Sequence, residues 1–280
     1  MGLKMNDQEL KQDWLSEENA SFSGWDFSRL DGRMSVEELP WDYREWVNRY
    51  RKPEDKLLDL GTGGGEFLKS LHHPYANTTV TEAWPPNIAL CQRTLAPLGI
   101  TVLPAPAVHS YDALPSADHS FDIVLCRHEE YNINEVKRIL KPGGMFITQQ
   151  VGGTNNAVLS RRFFPAYRSL VPDFNLENEA AKFQEAGFEV VFQDEFFAVS
   201  EFFDVGAIVY FAKIIEWEFP GFSVETCLDV LYELQEEITA KGSVESSEHR
   251  FILVCRNKND SEVRETPNEI QRTDTGINGI

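Results

Sequence analysis

The segment LLDLGTGGGEFL, residues 57–68, carries the strongest structural signal in the chain. Its first four residues form a short apolar run that ends at glycines, which is typical of a buried strand meeting a tight turn. Gly61, Gly63 and Gly65 follow at alternate positions, where glycine permits a positive φ and lets a ligand approach the backbone closely. A helix predicted to begin at Glu66 would present unpaired N–H groups to such a ligand. The segment therefore predicts a strand, a ligand-binding loop and a helix.

Two phosphate-binding patterns do not fit this loop. A dinucleotide motif G-x-G-x-x-G that starts at Gly61 needs glycine at position 66, which is Glu66; one that starts at Gly63 needs glycine at position 68, which is Leu68. The pattern G-x-x-x-x-G-K-[ST] fails at the same Glu66. Asp59 and Glu66 also place two negative charges beside the loop, which would repel a pyrophosphate. The loop therefore favours a ligand that carries an ammonium or sulfonium group.

Strands and helices are predicted to alternate along most of the chain. Apolar runs predict strands at 57–60, 78–83, 101–107, 121–127, 145–151, 188–196 and 250–256. Helices are predicted at 66–72, 86–98, 133–140, 176–186, 202–215 and 226–241. This alternation is typical of a parallel sheet with helices on both faces. We predict an α/β fold with a doubly wound, mostly parallel seven-stranded sheet.

The chain is expected to divide into a main domain and two flanking parts. Residues 1–55 form a helical N-terminal cap, and residues 56–257 form the main domain. An acidic insertion or lid is expected at about 154–249. Residues 258–280 are polar and almost free of core residues, so they are expected to be a disordered tail.

The cap and the insertion have distinctive compositions. The cap contains Trp25, Trp41 and Tyr43, which either fill its own core or cover the ligand. Between residues 173 and 248 there are 18 acidic residues and three lysines. These acids either lie on solvated helix faces or form a lid that repels anionic substrates.

Glu82 is a second acidic residue with a defined place beside the loop. It falls 23 positions after Asp59, at the predicted carboxyl end of the second strand. In a doubly wound sheet that position lies beside the first loop, where a carboxylate can accept two hydrogen bonds from a ribose diol. Ala83 and Trp84 come next and are placed to cover one face of an adenine.

Across about residues 56–151 the sequence resembles the class I S-adenosylmethionine-dependent methyltransferases. The resemblance is carried by LLDLGTGGGEF (57–67), TEA (81–83), ALPSADHSFDIVLCRHEEYN (113–132) and EVKRILKPGGMFITQQ (135–150). The last segment includes LKPGG, which is similar to the family's turn before its fifth strand. The resemblance implies a Rossmann-like core, S-adenosyl-L-methionine as cofactor and methyltransferase activity (EC 2.1.1.-).

The resemblance also implies roles for individual residues. Asp59 and the loop would hold the methionine moiety, and Glu82 would take the ribose hydroxyls. Many members have an Asp after the third strand that meets the adenine amino group; this chain has Ser110 there, with Tyr111 beside it. The residues expected to bind the cofactor are Asp59, Gly61, Thr62, Gly63, Gly65, Glu82, Ala83, Trp84, Ser110, Tyr111 and Arg127.

His128 is the candidate catalytic residue. With Arg127 it ends the fourth predicted strand, where the resemblance places the methyl group. Methyl transfer is an in-line displacement for which the protein mainly aligns the nucleophile and excludes water. A histidine, whose ordinary pKa is about 6.5, could act there as the base that deprotonates the acceptor. The alternative is that His128 lines the cofactor pocket or packs without a chemical role.

The charge of the chain bears on the acceptor. There are 26 Lys and Arg against 45 Asp and Glu, a net charge of −19. Such a field repels nucleic acids and anionic membranes, so a small-molecule acceptor is expected. A methyltransferase of ribosomal or transfer RNA and a non-catalytic S-adenosylmethionine-binding protein are the alternatives.

The remaining features concern compartment and metals. The four cysteines show no C-x-x-C pair, and the first ten residues contain no apolar run. The longest apolar stretch, 206–215, is about half a membrane span. We therefore expect a cytoplasmic protein with reduced thiols, no membrane association and no bound metal.

Overall fold

A computed structural model describes residues 6–22, 27–104 and 113–258 of the chain. Within these ranges the helices are α1 (Asp7–Glu18), α2 (Tyr43–Tyr50), α3 (Glu66–Ser70), α4 (Pro85–Thr94), α5 (Ile133–Ile139), α6 (Ala157–Phe163), α7 (Leu176–Glu185), α8 (Val205–Ile214) and α9 (Leu228–Lys241). The strands are β1 (Met34–Val36), β2 (Leu57–Leu60), β3 (Thr78–Glu82), β4 (Thr101–Pro104), β5 (Phe121–Arg127), β6 (Leu140–Val151), β7 (Phe188–Phe202) and β8 (Val244–Asn257).

The strands form one sheet in the order β1-β7-β8-β6-β5-β2-β3-β4. The five strands from β4 to β6 run parallel, and β8 lies antiparallel between β6 and β7. The chain proceeds from β2 outward to β3 and β4, and then returns to the other side of β2 to form β5 and β6. The order of strands thus reverses between β2 and β5. In an open α/β sheet, ligands bind at the carboxyl ends of the strands beside such a switch point.

The doubly wound α/β fold predicted from the sequence is confirmed, and the strand count is corrected. The described residues form eight strands, because Met34–Val36, in a segment expected to be helical, pairs antiparallel with the end of β7. The long hairpin of β7 and β8 explains why this extra strand forms. The two strands pair from Phe188 with Asn257 to Phe202 with Val244, well beyond their predicted bounds. The outer edge of β7 therefore presents backbone groups that β1 can satisfy.

The sheet is buried on both of its faces. Leu57 and Leu58 are adjacent in β2 and point to opposite faces, yet neither is exposed. On one face, apolar residues of the central strands pack with α5 and α7, including the stacked rings of Phe146 and Phe183. On the other face they pack with α2 and α4, and the Tyr43 hydroxyl donates a hydrogen bond to the Ile147 carbonyl oxygen (2.9 Å). The central strands are therefore continuous apolar runs, as expected of a covered parallel sheet.

A further apolar cluster lies outside the two faces of the sheet. The chain between β7 and β8 inserts α8 and α9, and α1 packs against them. We call the buried residues of these helices and their neighbours the insertion core; among them are Trp14, Ile208, Phe219 and Leu231. Eight consecutive residues of α8, from position 205 to 212, are buried. Among the described helices, none combines the length and apolarity that crossing a bilayer requires.

The predicted domain boundaries stay predictions, but the structure places their parts. Helix α1 of the predicted cap belongs to the insertion core, whereas α2 lies over the sheet. The predicted lid at 154–249 includes β7, which is a strand of the main sheet. Trp25 and most of the predicted tail lie outside the described residues.

Candidate functional site

The glycine loop connects β2 to α3 and folds back onto β3. The Thr62 amide donates to the Thr81 carbonyl oxygen (3.1 Å), and the Gly65 amide donates to the Thr62 carbonyl oxygen (3.0 Å). Gly61 and Gly63 have φ values of +65° and +60°, in the left-handed region where a side chain is strained. The predicted turn is thus formed, and it lies partly buried at the switch point between β2 and β5.

Asp59 lies at this point with almost no exposure. It is the third residue of the four-residue strand β2, and only 6% of its surface is accessible to solvent. Burial raises the pKa of Asp59 to about 6; the positive charge of Arg127 favours the charged form, and the negative charge of Glu82 opposes it. The Thr62 hydroxyl oxygen is buried and, within the described residues, has no partner in hydrogen-bond geometry. A buried carboxylate and an unsatisfied hydroxyl side by side are suited to a polar or cationic ligand.

Glu82, at the end of β3, holds the glycine loop through a hydrogen bond from the loop's backbone. It is buried, and its Oε2 accepts a hydrogen bond from the Gly63 amide (2.9 Å). Its Oε1 accepts from the amides of Ala83 and Trp84 (3.0 Å each). Because a carboxylate oxygen accepts two hydrogen bonds, Oε2 retains one acceptor position. Trp84 is 46% exposed beside it, so its indole is accessible to a ligand.

Glu129 occupies the space directly above Gly61. A Cβ atom at Gly61 would lie 2.3 Å from the Cγ atom of Glu129, so only glycine fits beneath this side chain. Burial raises the pKa of Glu129, and the nearby charges of Glu82 and Glu130 act in the same direction. A ligand that touches Gly61 must therefore displace the Glu129 side chain. Sequence reasoning did not place Glu129 over the loop, because the contact depends on how the turn after β5 folds.

Arg127 contributes a positive charge to the site. It ends β5 and is exposed, and its guanidinium carbon lies 4.5 Å from the centre of the Phe67 ring. Such an arrangement is a cation–π contact, which holds the guanidinium without neutralising it. Phe67 was part of the predicted loop segment, but its contact with Arg127 was not predicted.

His128 follows Arg127 and has an unusual backbone conformation. Its φ is +60°, and its amide donates to the Gln149 carbonyl oxygen (2.9 Å). Desolvation by the surrounding protein, together with the positive charges of Arg250 and Arg127, lowers the pKa of His128. The ring is therefore neutral at physiological pH. The residue itself is exposed.

The structure brings most of the predicted site residues together. Asp59, Glu82, Arg127 and His128 come from three neighbouring strand ends, and the loop glycines lie between them. Gly65 has a second role, because a Cβ atom there would lie 2.8 Å from Leu95 Cδ1; it allows α3 to pack closely. Ser110 and Tyr111 lie outside the described residues. The assignment of these residues to a cofactor stays a prediction.

Among the residues that the structure describes, no group of three or more His, Cys, Asp or Glu side chains could hold a metal ion. Cys91, Cys126, Cys227 and Cys255 are buried free thiols.

Comparison with known proteins agrees with this fold. The family described as "Methyltransferase domain" matches residues 58–148. A candidate methyltransferase of Bacillus halodurans C-125 has a similar structure, with a TM-score of 0.50 and 15% identity over 78% of this chain and 99% of that one. The YcgJ protein of Bacillus subtilis is equally similar, with a TM-score of 0.50 and 15% identity over 78% of this chain and 98% of that one. At this level of identity the likeness concerns the fold.

A curated sequence relative matches only part of the chain. The uncharacterized protein MJ0638 of Methanocaldococcus jannaschii is 26% identical over 110 residues, which is 37% of this chain and 46% of that protein. The chain therefore spans less than half of this relative's length.

Fold and sequence family together define a methyltransferase-type α/β protein. Residues 58–148 match the methyltransferase domain family, in agreement with the resemblance of the loop segments to class I S-adenosylmethionine-dependent methyltransferases. Members of this family use S-adenosylmethionine.

Proposed function

We propose that this chain binds S-adenosylmethionine at the switch point between β2 and β5 and transfers its methyl group to a small molecule. The observation that carries the proposal is the pair of buried carboxylates, Asp59 and Glu82, on either side of the glycine loop. Two negative charges suit a ligand that carries both an ammonium and a sulfonium group, whereas they would repel a pyrophosphate. The net charge of −19 supports a small acceptor over a nucleic acid.

The residues present fit this cofactor with one rearrangement. Asp59 would accept hydrogen bonds from the methionine moiety, and the unsatisfied Thr62 hydroxyl would donate one. The remaining acceptor position of Glu82 would take a ribose hydroxyl, and Trp84 would cover the adenine. Glu129 would leave the space above Gly61.

The chemistry of the donor limits what the protein must do. S-adenosylmethionine, when bound, supplies a methyl group on a sulfonium that is already activated for in-line displacement. The protein then aligns the acceptor and excludes water. We assign His128, with Arg127 beside it, to the place where the acceptor meets the methyl group. The four free thiols are consistent with action in a reducing compartment, and we propose the cytoplasm.

Calorimetric titration of S-adenosylmethionine into the chain tests the binding step. We expect binding that Asp59→Asn weakens about tenfold to 100-fold, because a hydrogen bond to a charged group contributes about 1.5–3 kcal/mol. Asp42→Asn is the matched control, since Asp42 caps α2 through its side-chain oxygen and asparagine can do the same. Unchanged affinity in Asp59→Asn, or no binding in the wild type, would show that the loop does not hold the donor.

Incubation with a panel of metabolites, followed by detection of S-adenosylhomocysteine, tests the transfer step. Turnover on a small molecule supports the proposal. Donor binding without turnover on any acceptor would favour a non-catalytic binding protein. Binding to RNA that weakens as salt is raised would favour a nucleic-acid acceptor.

A further inference from the structure

The ring of His128 is held by a short chain of hydrogen bonds that begins at Trp41. The Trp41 Nε1–H donates to Gln149 Oε1 (2.9 Å), and both side chains are buried. The Gln149 side-chain nitrogen in turn lies 3.2 Å from His128 Nε2. Trp41 comes from the turn before α2, Gln149 from β6 and His128 from the end of β5. Three segments thus converge on one imidazole.

The direction of each hydrogen bond follows from the chemistry of the groups. An indole N–H can only donate, so the atom of Gln149 that faces Trp41 must be the amide oxygen. This removes the usual uncertainty about the orientation of a glutamine side chain. The amide nitrogen, which can only donate, therefore faces the histidine. His128 Nε2 must accept, and in a neutral ring the proton is then on Nδ1.

The backbone of His128 is fixed by the same partner. Its left-handed φ of +60° is a sparsely populated conformation for a residue with a side chain. The hydrogen bond from its amide to the Gln149 carbonyl oxygen holds it there. Residues held in such conformations cluster at functional sites, where the strain positions a group. Gln149 thus positions both the backbone and the ring.

The second ring nitrogen is free within the described residues. The structure gives His128 Nδ1 no hydrogen-bond partner, and the residue is exposed at the switch point beside Arg127. A neutral ring with its proton on Nδ1 offers an N–H donor at that atom. The nitrogen with a lone pair, Nε2, already accepts from Gln149 and cannot also accept a proton from an acceptor.

We propose that Trp41 and Gln149 are positioning residues that hold His128 as the neutral Nδ1–H tautomer, so that His128 donates a hydrogen bond to the acceptor and does not deprotonate it. The role in methyl transfer rests on the function proposed above. The acceptor is then of a class whose reacting atom has a free lone pair at neutral pH without the help of a base, such as an aromatic amine, a neutral imidazole or a thiolate of low pKa. It also carries a carbonyl or carboxylate oxygen to accept the Nδ1–H, with the Arg127 guanidinium nearby.

The tautomer can be read directly by long-range ¹H–¹⁵N correlation spectra of the histidine rings in the full chain. In the wild type we expect His128 to show a protonated Nδ1 and an unprotonated Nε2. Two other histidines serve as internal references with the opposite pattern. His73 Nε2 faces the Asp55 carbonyl oxygen (2.9 Å), and His249 Nε2 faces Glu195 Oε1 (2.9 Å), so both must carry their proton on Nε2. His128→Asn assigns the resonances, since asparagine tolerates the left-handed backbone.

Two variants test the chain of hydrogen bonds from Trp41 through Gln149 to His128. Gln149→Glu replaces the donor that faces His128 by an acceptor, so the proton should move to Nε2 and the His128 pattern should reverse. Trp41→Phe frees the Gln149 oxygen, so the pattern should become a mixture of both tautomers. Trp14→Phe, a buried tryptophan of the insertion core, is the matched control and should leave His128 unchanged.

The outcomes separate this proposal from the proposed function. An Nε2–H tautomer in the wild type, or an Nδ1–H tautomer that persists in a folded Gln149→Glu or Trp41→Phe variant, would overturn the proposal. Circular dichroism identifies a variant that fails to fold. If one of the two variants does not fold, the other is enough to test the proposal. Because the spectra are recorded without the methyl donor, they do not depend on whether the chain binds S-adenosylmethionine. Calorimetry with that donor tests the proposed function independently.

Discussion

The insertion core buries apolar side chains, whereas the site at the switch point buries charged and polar ones. The insertion core consists of apolar side chains on regular helices, and Phe219 within it packs edge-on against the ring of Phe163 (5.8 Å). The switch-point site, the glycine loop with Asp59 and Glu82, buries these two carboxylates beside glycines of left-handed backbone conformation. It also leaves the Thr62 hydroxyl without a hydrogen-bond partner among the described residues. Apolar burial stabilises a fold, whereas burying a charge or a strained residue destabilises it. Stability and ligand binding are therefore expected to reside in different regions.

The largest expected effect is on stability, in the insertion core. Phe219→Ala removes a fully buried ring, which should lower the free energy of unfolding by about 3–5 kcal/mol. Urea denaturation followed by circular dichroism measures it. The affinity for S-adenosylmethionine of the molecules that remain folded should not change. A parallel loss of affinity would show that the insertion and the site are coupled.

The next effect is a pH dependence that originates at Asp59. Its pKa of about 6 in the folded chain is above its ordinary 3.8, so the folded state binds the proton more tightly than the unfolded state. The free energy of unfolding should therefore fall as the pH rises from 4 to 6, by up to about 3 kcal/mol from this group. Asp59→Asn removes this contribution, so the difference between variant and wild type should grow over the same range. A difference that is constant with pH would mean that Asp59 titrates normally.

The ionisation of Asp59 should also affect the binding of a cationic ligand. Because a cationic donor prefers the charged carboxylate, its affinity for the wild type should decrease as the pH falls below 6, by up to about tenfold per unit. Asp59→Asn should lack this component. Calorimetric titrations at pH 5, 6 and 7 give the slopes, and equal slopes in the two proteins would contradict the assignment.

A smaller effect is expected at the glycine that lets α3 pack. Gly65→Ala forces an alanine into a φ of +78° and places its Cβ 2.8 Å from Leu95 Cδ1. The backbone conformation alone should cost about 1–2 kcal/mol. Gly99→Ala is the matched control, since Gly99 has a φ of +96° but open space around its Cβ position. Thermal denaturation should show a greater loss for Gly65→Ala; equal losses would mean that Leu95 adjusts freely.

The smallest effect is expected at the surface of the insertion. Lys11 in α1 pairs with Glu225 (2.8 Å), and both side chains are partly or largely exposed. Lys11→Ala should change the free energy of unfolding by less than about 0.5 kcal/mol, because water and salt screen such pairs. A loss above 1 kcal/mol in urea denaturation would show that α1 depends on this pair for its docking.

Much of the fold could be predicted because its signals are local. The run LLDL followed by alternating glycines defined β2, its loop and the start of α3, and the apolar segment at 206–215 corresponds closely to α8. Glu82 could be placed beside the loop because the carboxyl ends of parallel strands meet at one edge. The strand β1 could not be predicted, since its three residues form a strand only where the edge of β7 is available.

The sequence by itself determined the doubly wound sheet, the match of residues 58–148 to the methyltransferase domain family and the acidic character of the loop, because each rests on residues close together in the chain. The tertiary structure alone decided that Glu129 covers Gly61 and that Trp41, Gln149 and His128 form one line of hydrogen bonds. Trp41 and Gln149 are 108 positions apart, and no local pattern encodes their meeting. Local preferences set where strands and turns occur, but the protonation of His128 depends on which side chains the folded sheet brings into contact.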